Sequence, residues 1–294
     1  MAKVVGFISE KGGVGKTTSC YHIAIALCRY HHKKVLVIDA DYQRGGITGR
    51  LFPEMIESFG SVPPNGETLF TKYQQLYSAS SQTPDIDIYP HTSGIDVIPA
   101  DYRLSNVTTN KLPSSNNIRE NNLLTLTHLR TIRFVLEPIL DDYDYILIDS
   151  HPEVSDVMRS IICAADYCVS PVKLDRQSSI GVATVIGEIS NVNADVKMVV
   201  DLVAPQYSYM ETIFSGAMGM MAREYNEELK QTERQEFQRL RRTGPVFENY
   251  VTEGDGLRIA AMERCPVYDV TNQNAYKQSG QLRSLTMEFL GACQ

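Results

Sequence analysis

The stretch Ser9-Glu10-Lys11-Gly12-Gly13-Val14-Gly15-Lys16-Thr17-Thr18 leaves this chain few folds to choose from. An apolar run, Val4-Val5-Gly6-Phe7-Ile8, precedes it, and Ile23, Ala24, Leu27 and Cys28 follow at the spacing of one helical face. Strand, glycine-rich loop and helix in that order make a cradle for phosphate. The glycines let the backbone curl so that successive N–H groups point into one concavity, and the helix adds the positive end of its dipole. Lys16 is placed to reach the β- and γ-phosphates as a point charge, and the Thr17 hydroxyl to ligate the Mg²⁺ that bridges them.

The general phosphate-loop pattern has Gly separated by four residues from Gly-Lys, where this chain has Glu10, and the loop instead opens with a second lysine, Lys11. Lys-Gly-Gly-Val-Gly-Lys-Thr-Thr, residues 11 to 18, resembles the deviant Walker A signature of the ParA/MinD class of ATPases. The resemblance implies an α/β fold of the P-loop NTPase type, a doubly wound, mostly parallel sheet flanked by helices. It also implies ATP and Mg²⁺ as ligands, with Lys11, Gly12, Gly13, Val14, Gly15, Lys16, Thr17 and Thr18 around the phosphates. In that class the early lysine crosses a dimer interface to the partner's nucleotide, so the resemblance makes Lys11 a contact in trans and a second copy of the chain a partner.

Two further segments carry carboxylates to the same place. Lys34-Val35-Leu36-Val37-Ile38 has the length of a buried parallel strand and runs into Asp39-Ala40-Asp41-Tyr42-Gln43. Ligands of open α/β sheets bind beyond the carboxyl ends of the strands, which puts Asp39 and Asp41 beside the phosphates. By resemblance to Asp-x-Asp-Pro-Gln, Asp41 orients or deprotonates the attacking water and Asp39 supports the Mg²⁺ shell. Tyr42 stands where that motif has Pro, and Arg44-Gly45-Gly46 departs from it too. Tyr143 to Asp149, followed by Ser150-His151-Pro152, is apolar residues ending in Asp, the Walker B pattern, in which Asp149 holds Mg²⁺ through a water. His151 again replaces a family proline; it reads either as a sensor of γ-phosphate or pH or as a tolerated loop change.

The rest of the chain sets bounds. Its 294 residues suit a single ParA-like domain over 1–294, and 43% hydrophobic with 21% charged residues is ordinary for a globular protein. The start shows no secretory pattern, which points to the cytosol, and no run approaches the ~18 apolar residues of a membrane span. None of the six cysteines makes a Cys-x-x-Cys pair, so they read as reduced and structural. A net charge of −7 argues against a surface coated with nucleic acid but permits a basic patch. Val196–Val203 reads as a strand and 209–242 as a long helical stretch, whose end carries Lys230, Arg234, Arg239, Arg241 and Arg242. By resemblance these cations bind DNA nonspecifically; otherwise they are a solvated helix face. The last helix, with only Lys277 and Arg283 as cations, is too weakly basic for a membrane anchor.

The favoured function is therefore ATP-dependent partition of plasmid or chromosomal DNA. A nucleotide-bound sandwich dimer would sit on the nucleoid and be released when a ParB-like, cargo-bound activator stimulates slow hydrolysis. A membrane-cycling ATPase like MinD and a metabolic enzyme on the same scaffold are the alternatives.

Overall fold

The computed structural model describes residues 1–294. In chain order the elements are β1 (Lys3–Phe7), α1 (Lys16–His31), β2 (Val35–Ala40), α2 (Ile47–Leu51), α3 (Pro53–Glu57), α4 (Leu69–Tyr77), β3 (Tyr89–Pro90), β4 (Asp96–Ile98), α5 (Ile118–Leu129), α6 (Thr131–Leu136), β5 (Tyr145–Ser150), α7 (Asp156–Ala164), β6 (Tyr167–Lys173), α8 (Arg176–Val203), β7 (Ile213–Ala222), β8 (Glu224–Tyr225), β9 (Glu228–Leu229), α9 (Gln231–Thr243), β10 (Val246–Thr252), α10 (Asp255–Met262) and α11 (Gln273–Ala292).

Eight strands form one sheet in the order β10-β7-β6-β1-β5-β2-β4-β3, parallel throughout except where β3 meets β4. The chain builds outward from β1 in both directions, so the crevice expected at a reversal of strand order falls at the end of β1, where the glycine-rich loop begins. Because β5 lies between β1 and β2, Asp149 is brought next to the loop and, by register, directly beside Asp39.

Alternate residues of each central strand go to opposite faces. Val4, Leu36, Ile38, Ile146 and Ile148 join a cluster of 32 buried residues with α4 to α8; Val5, Phe7, Val35, Val37 and Leu147 belong to a cluster of 29 with α1, α10 and α11. Burying each such side chain contributes roughly 1.5–3 kcal/mol. With helices on both faces no strand position needs a polar residue, which is why the strands read as unbroken apolar runs.

The C-terminal half departs from the expected pattern. Val196–Val203 is not a strand but the last two turns of α8, a helix that buries Val182, Val185, Ile189, Val192, Val196 and Val200 on one stripe. The helix expected over 209–242 is instead β7, the hairpin of β8 and β9, and the shorter helix α9. Strand β7, Ile-Phe-Ser-Gly-Ala-Met-Gly-Met-Met-Ala, has a helix former's composition because it is squeezed: a Cβ on Gly219 would lie 2.9 Å from Cβ of Tyr250 on β10. Small residues are chosen there by the approach of the neighbouring strand, not by local propensity. Ahead of β5 the chain is helical in pieces, α5, α6 and a short 3-10 turn over Glu137–Asp142.

Helix α1 is tied to the body by His22, which is fully buried. Its Nε2 accepts from the Val267 amide at 3.1 Å, so the proton must sit on Nδ1, 2.7 Å from the Thr18 carbonyl. Burial, then the Arg50 charge, push His22 down from 6.5 to about 3. The unfolded chain thus binds a proton here below pH 6.5 that the folded chain refuses. The stability His22 permits is full above that pH and declines as the pH falls, by about 1.4 kcal/mol per unit. Urea unfolding at pH 7.5 and 5.0 is expected to show wild type losing about 2 kcal/mol more than His22→Gln. Equal losses in the two proteins would mean that the imidazole is not held neutral.

Candidate functional site

Residues 9 to 15 wrap over the end of the sheet and deliver the chain into α1. Gly13 and Gly15 have φ of +69° and +95°, left-handed conformations that an L side chain adopts only with strain. The start of the helix is pinned by Ser19, whose hydroxyl donates to the Gly15 and Lys16 carbonyls at 2.8 and 2.9 Å. Lys16 is 5% exposed, and burial pulls its ammonium below the usual lysine range, against the opposing charges of Asp149 and Asp41. A buried cation with carboxylates on one side and a ring of amides on the other is poised for an anion.

The three carboxylates differ sharply in what holds them. Asp39 is fully buried, and its Oδ2 accepts from both the amide and the hydroxyl of Thr48 at 2.7 Å, while Oδ1 accepts from the Asp41 amide at 3.2 Å. The Thr48 hydroxyl in turn accepts from the Ala100 amide at 2.8 Å. Burial pushes Asp39 up to about 6 in spite of these bonds. Its oxygens are thus engaged in tying α2 and the 98–100 turn to the sheet.

Asp149 is the reverse. Both carboxylate oxygens are buried and accept no hydrogen bond. Burial, then the charge of Asp39, push it well above the usual carboxylate range, with the Lys16 ammonium and the Thr17 hydroxyl acting against them. An orphaned buried carboxylate costs several kcal/mol. Such a cost at the foot of a phosphate cradle fits a place for Mg²⁺ and its water shell. No group of three His, Cys, Asp or Glu side chains converges on a metal site, which suits Mg²⁺, since that ion takes one or two carboxylates and fills its remaining positions with phosphate and water. Thr17 and Asp149 are the residues that would hold it.

Asp41 stands at the mouth, its side chain 13% exposed. Its Oδ1 receives the Gln43 amide and His151 Nδ1, both at 2.9 Å. Lys11 lies at the rim, where Nζ donates to Gln177 Oε1 on the first turn of α8 at 2.8 Å in an exposed contact. Within one chain, then, the early lysine is held by the rim of the site.

A cavity of about 260 Å³ opens beside Gly15 and Thr18, walled by Met220, Met221, Thr252, Gly254, Leu257 and Arg258. Gln278 on α11, 1% exposed, braces this wall, donating to the Thr252 carbonyl at 2.8 Å and accepting from the Leu257 amide at 2.9 Å. Its position past the phosphate loop suits the nucleoside end of a nucleotide. Sequence reasoning missed it, because β7 was hidden inside the expected helix. Another cavity, of about 270 Å³ between the 55–65 segment and Ile98–Ala100, is lined by none of the phosphate-loop residues.

The basic cluster is less free than its sequence suggests. Arg234 pairs with Glu228 at 2.7 Å, Arg239 with Glu236 at 2.6 Å, and Arg241 with Glu248, whereas Lys230 and Arg242 have no carboxylate partner. Exposed pairs of this kind contribute only about 0–1 kcal/mol, so they are exchangeable for phosphate, but they reduce the standing surplus of charge.

Fold and site together define a P-loop NTPase. The sequence matches the AAA domain family over residues 2–202, more than half of the chain, and the chain belongs to that family, among the P-loop ATPases that include the ParA proteins. It is 29% identical to a ParA family protein of Chlamydia pneumoniae across 65% of this chain and 67% of that one. Curated relatives are matched over about a half to two thirds of their own length. Among solved structures, an ATP complex of a Cyanothece McdA variant superposes with a TM-score of 0.70 at 18% identity, covering 97% of this chain and 96% of that one. A plasmid partition protein from Borrelia burgdorferi gives 0.61 at 21% identity, covering 99% and 98%. These structural likenesses speak for the fold.

Proposed function

We propose that this chain is a partition or positioning ATPase of the ParA type, which closes into a face-to-face dimer on ATP and Mg²⁺, binds DNA nonspecifically in that state, and lets go on hydrolysis. The observation that carries the reading is Lys11. It sits at the exposed mouth of a cradle that already has a buried lysine, restrained by one exposed hydrogen bond to Gln177, so a docking partner can draw it away at small cost.

In this reading the loop amides, Lys16 and the partner's lysine at position 11 gather the charge that spreads over the γ-phosphoryl group, and Asp41 aligns the attacking water. Mg²⁺, when bound at Thr17 and Asp149, supplies further charge neutralisation between the phosphates. Turnover is slow until a ParB-like activator on the cargo completes the site. The cavity at Met220 and Leu257 takes the nucleoside, and Lys230 and Arg242, unpaired at the two ends of α9, lead the DNA contact in a cytoplasmic, nucleoid-associated cycle. A MinD-like membrane cycle is disfavoured by α11, whose Leu282, Leu285 and Phe289 are buried in the core and not available to a bilayer. No helix is long and apolar enough to cross a membrane.

The test is a DNA titration with ATP, ADP or no nucleotide at two salt concentrations, alongside light scattering for dimers. ATP alone should give dimers and DNA binding; Lys11→Ala should abolish both. Lys230→Ala/Arg242→Ala should keep the dimer and bind DNA with a salt slope shallower by about one for each phosphate left without its cation. DNA binding indifferent to nucleotide would refute the cycle, and a normal ATP dimer from Lys11→Ala would refute the trans contact.

A further inference from the structure

The two positions at which this chain replaces a family proline, Tyr42 after β2 and His151 after β5, lie against each other. Their rings stack with centroids 3.7 Å apart and planes 25° from parallel. His151 is 3% exposed and its Nδ1 is 2.9 Å from Asp41 Oδ1. Since a carboxylate only accepts, Nδ1 carries the proton and donates. The loop around His151 is itself braced: its carbonyl accepts from the Glu153 amide at 3.0 Å and from the Ser150 hydroxyl at 3.2 Å.

The geometry points to His151 as a positioning residue for Asp41, with Tyr42 as the platform that fixes the imidazole. This rests on the reading of Asp41 as the group that aligns the attacking water. Asp41 follows the last residue of β2, and a carboxylate there with no hydrogen bonds of its own would present either oxygen. Here the Gln43 amide and His151 both bond Oδ1, which fixes the plane of the group and leaves Oδ2 as the oxygen for water. A proline at 151 would supply no donor, and a proline at 42 no ring. The pair also joins the loop after β2 to the loop after β5, so that Asp41 and Asp149 are held in one frame. The tyrosine and histidine here do as a pair what neither does singly, and their chemistry acts on the reaction only through Asp41.

Steady-state ATP hydrolysis by the full chain decides the matter, with thermal melting as a check on folding. His151→Leu, which fills the space without a donor, is expected to lower kcat about 10- to 100-fold with KM for ATP within about twofold. His151→Asn, whose amide can reach from the Nδ1 position, should recover most of that loss. Asp41→Asn should be slower still, and Asp41→Asn/His151→Leu no slower than Asp41→Asn, since the imidazole has nothing left to position. Should His151→Leu not fold, Tyr42→Leu serves in its place, because Tyr42 is only half-buried and its loss leaves the donor but removes the platform; a kcat fall of about 3- to 10-fold is expected. An unchanged kcat in His151→Leu, a loss that Asn does not recover, or losses that multiply in the double variant overturns the positioning role while leaving Asp41 in place. A wild-type rate in Asp41→Asn instead overturns the assignment of Asp41, and the inference with it.

Discussion

The Lys16→Met protein is expected to bind ATP at least about 100-fold more weakly than wild type and to hydrolyse it about 1000-fold more slowly, while folding normally. Lys16 is the buried cation of the cradle, with the charges of Asp149 and Asp41 close enough to act on it. Without it those acids confront a polyphosphate with only amide dipoles between them. Charge-assisted hydrogen bonds contribute about 1.5–3 kcal/mol each, and an ammonium that reaches two phosphates makes at least two. Folding should tolerate the change because burial already works against the ammonium, and methionine fills nearly the same volume. Titration with a fluorescent nucleotide gives the affinity, single-turnover hydrolysis gives the rate, and a melt gives the fold. Binding within about threefold of wild type would mean that the triphosphate lies elsewhere.

What could be read in the sequence was whatever local chemistry determines. The Gly12–Thr18 loop is legible because every feature of a phosphate cradle is contiguous: left-handed glycines, amides, a cation and a helix start. Asp149 is legible because a buried strand that ends in a carboxylate needs a reason for it. Asp39 carries the same local signal, but the Thr48 bonds that engage it come from nine residues away, after a turn with no periodic pattern, and were not legible. Strand β7 was hidden because its small residues answer to Tyr250 and Phe247 on β10, a contact that no window of a few residues contains. With β7 went the wall of the cavity beside Gly15 and Thr18. The basic residues on α9 were visible as charges, but their partners Glu228 and Glu248 lie on neighbouring elements whose placement follows from that strand. Tyr42 and His151 were each visible as departures from a pattern; that they touch is a consequence of β2 and β5 being neighbours in the sheet, which the sequence order conceals.

The Asp149→Asn protein is expected to melt no lower than wild type without ligand and to lose the Mg²⁺ dependence of nucleotide binding. Neither oxygen of Asp149 has a geometric hydrogen bond, and the nearby Lys16 charge and Thr17 hydroxyl offset only part of the cost of burying the carboxylate. Asparagine has the same shape, carries no charge to bury, and relieves the repulsion with Asp39. A Mg²⁺ ion at Thr17 and Asp149 would reverse that balance in the wild-type protein only. At a ligand concentration of about 100 Kd, binding adds about 2.7 kcal/mol of stability. In a protein of this size that raises Tm by roughly 4 °C. Melts with ATP plus Mg²⁺ and with ATP plus EDTA should therefore differ by that amount in wild type and coincide in Asp149→Asn, with hydrolysis down about 100- to 1000-fold in the variant. A ligand-free variant that melts several degrees below wild type would show that the carboxylate has a structural partner. Destabilisation localised to one side chain, and relieved only by the reactant complex, is what a site kept ready for a metal–nucleotide pair should display.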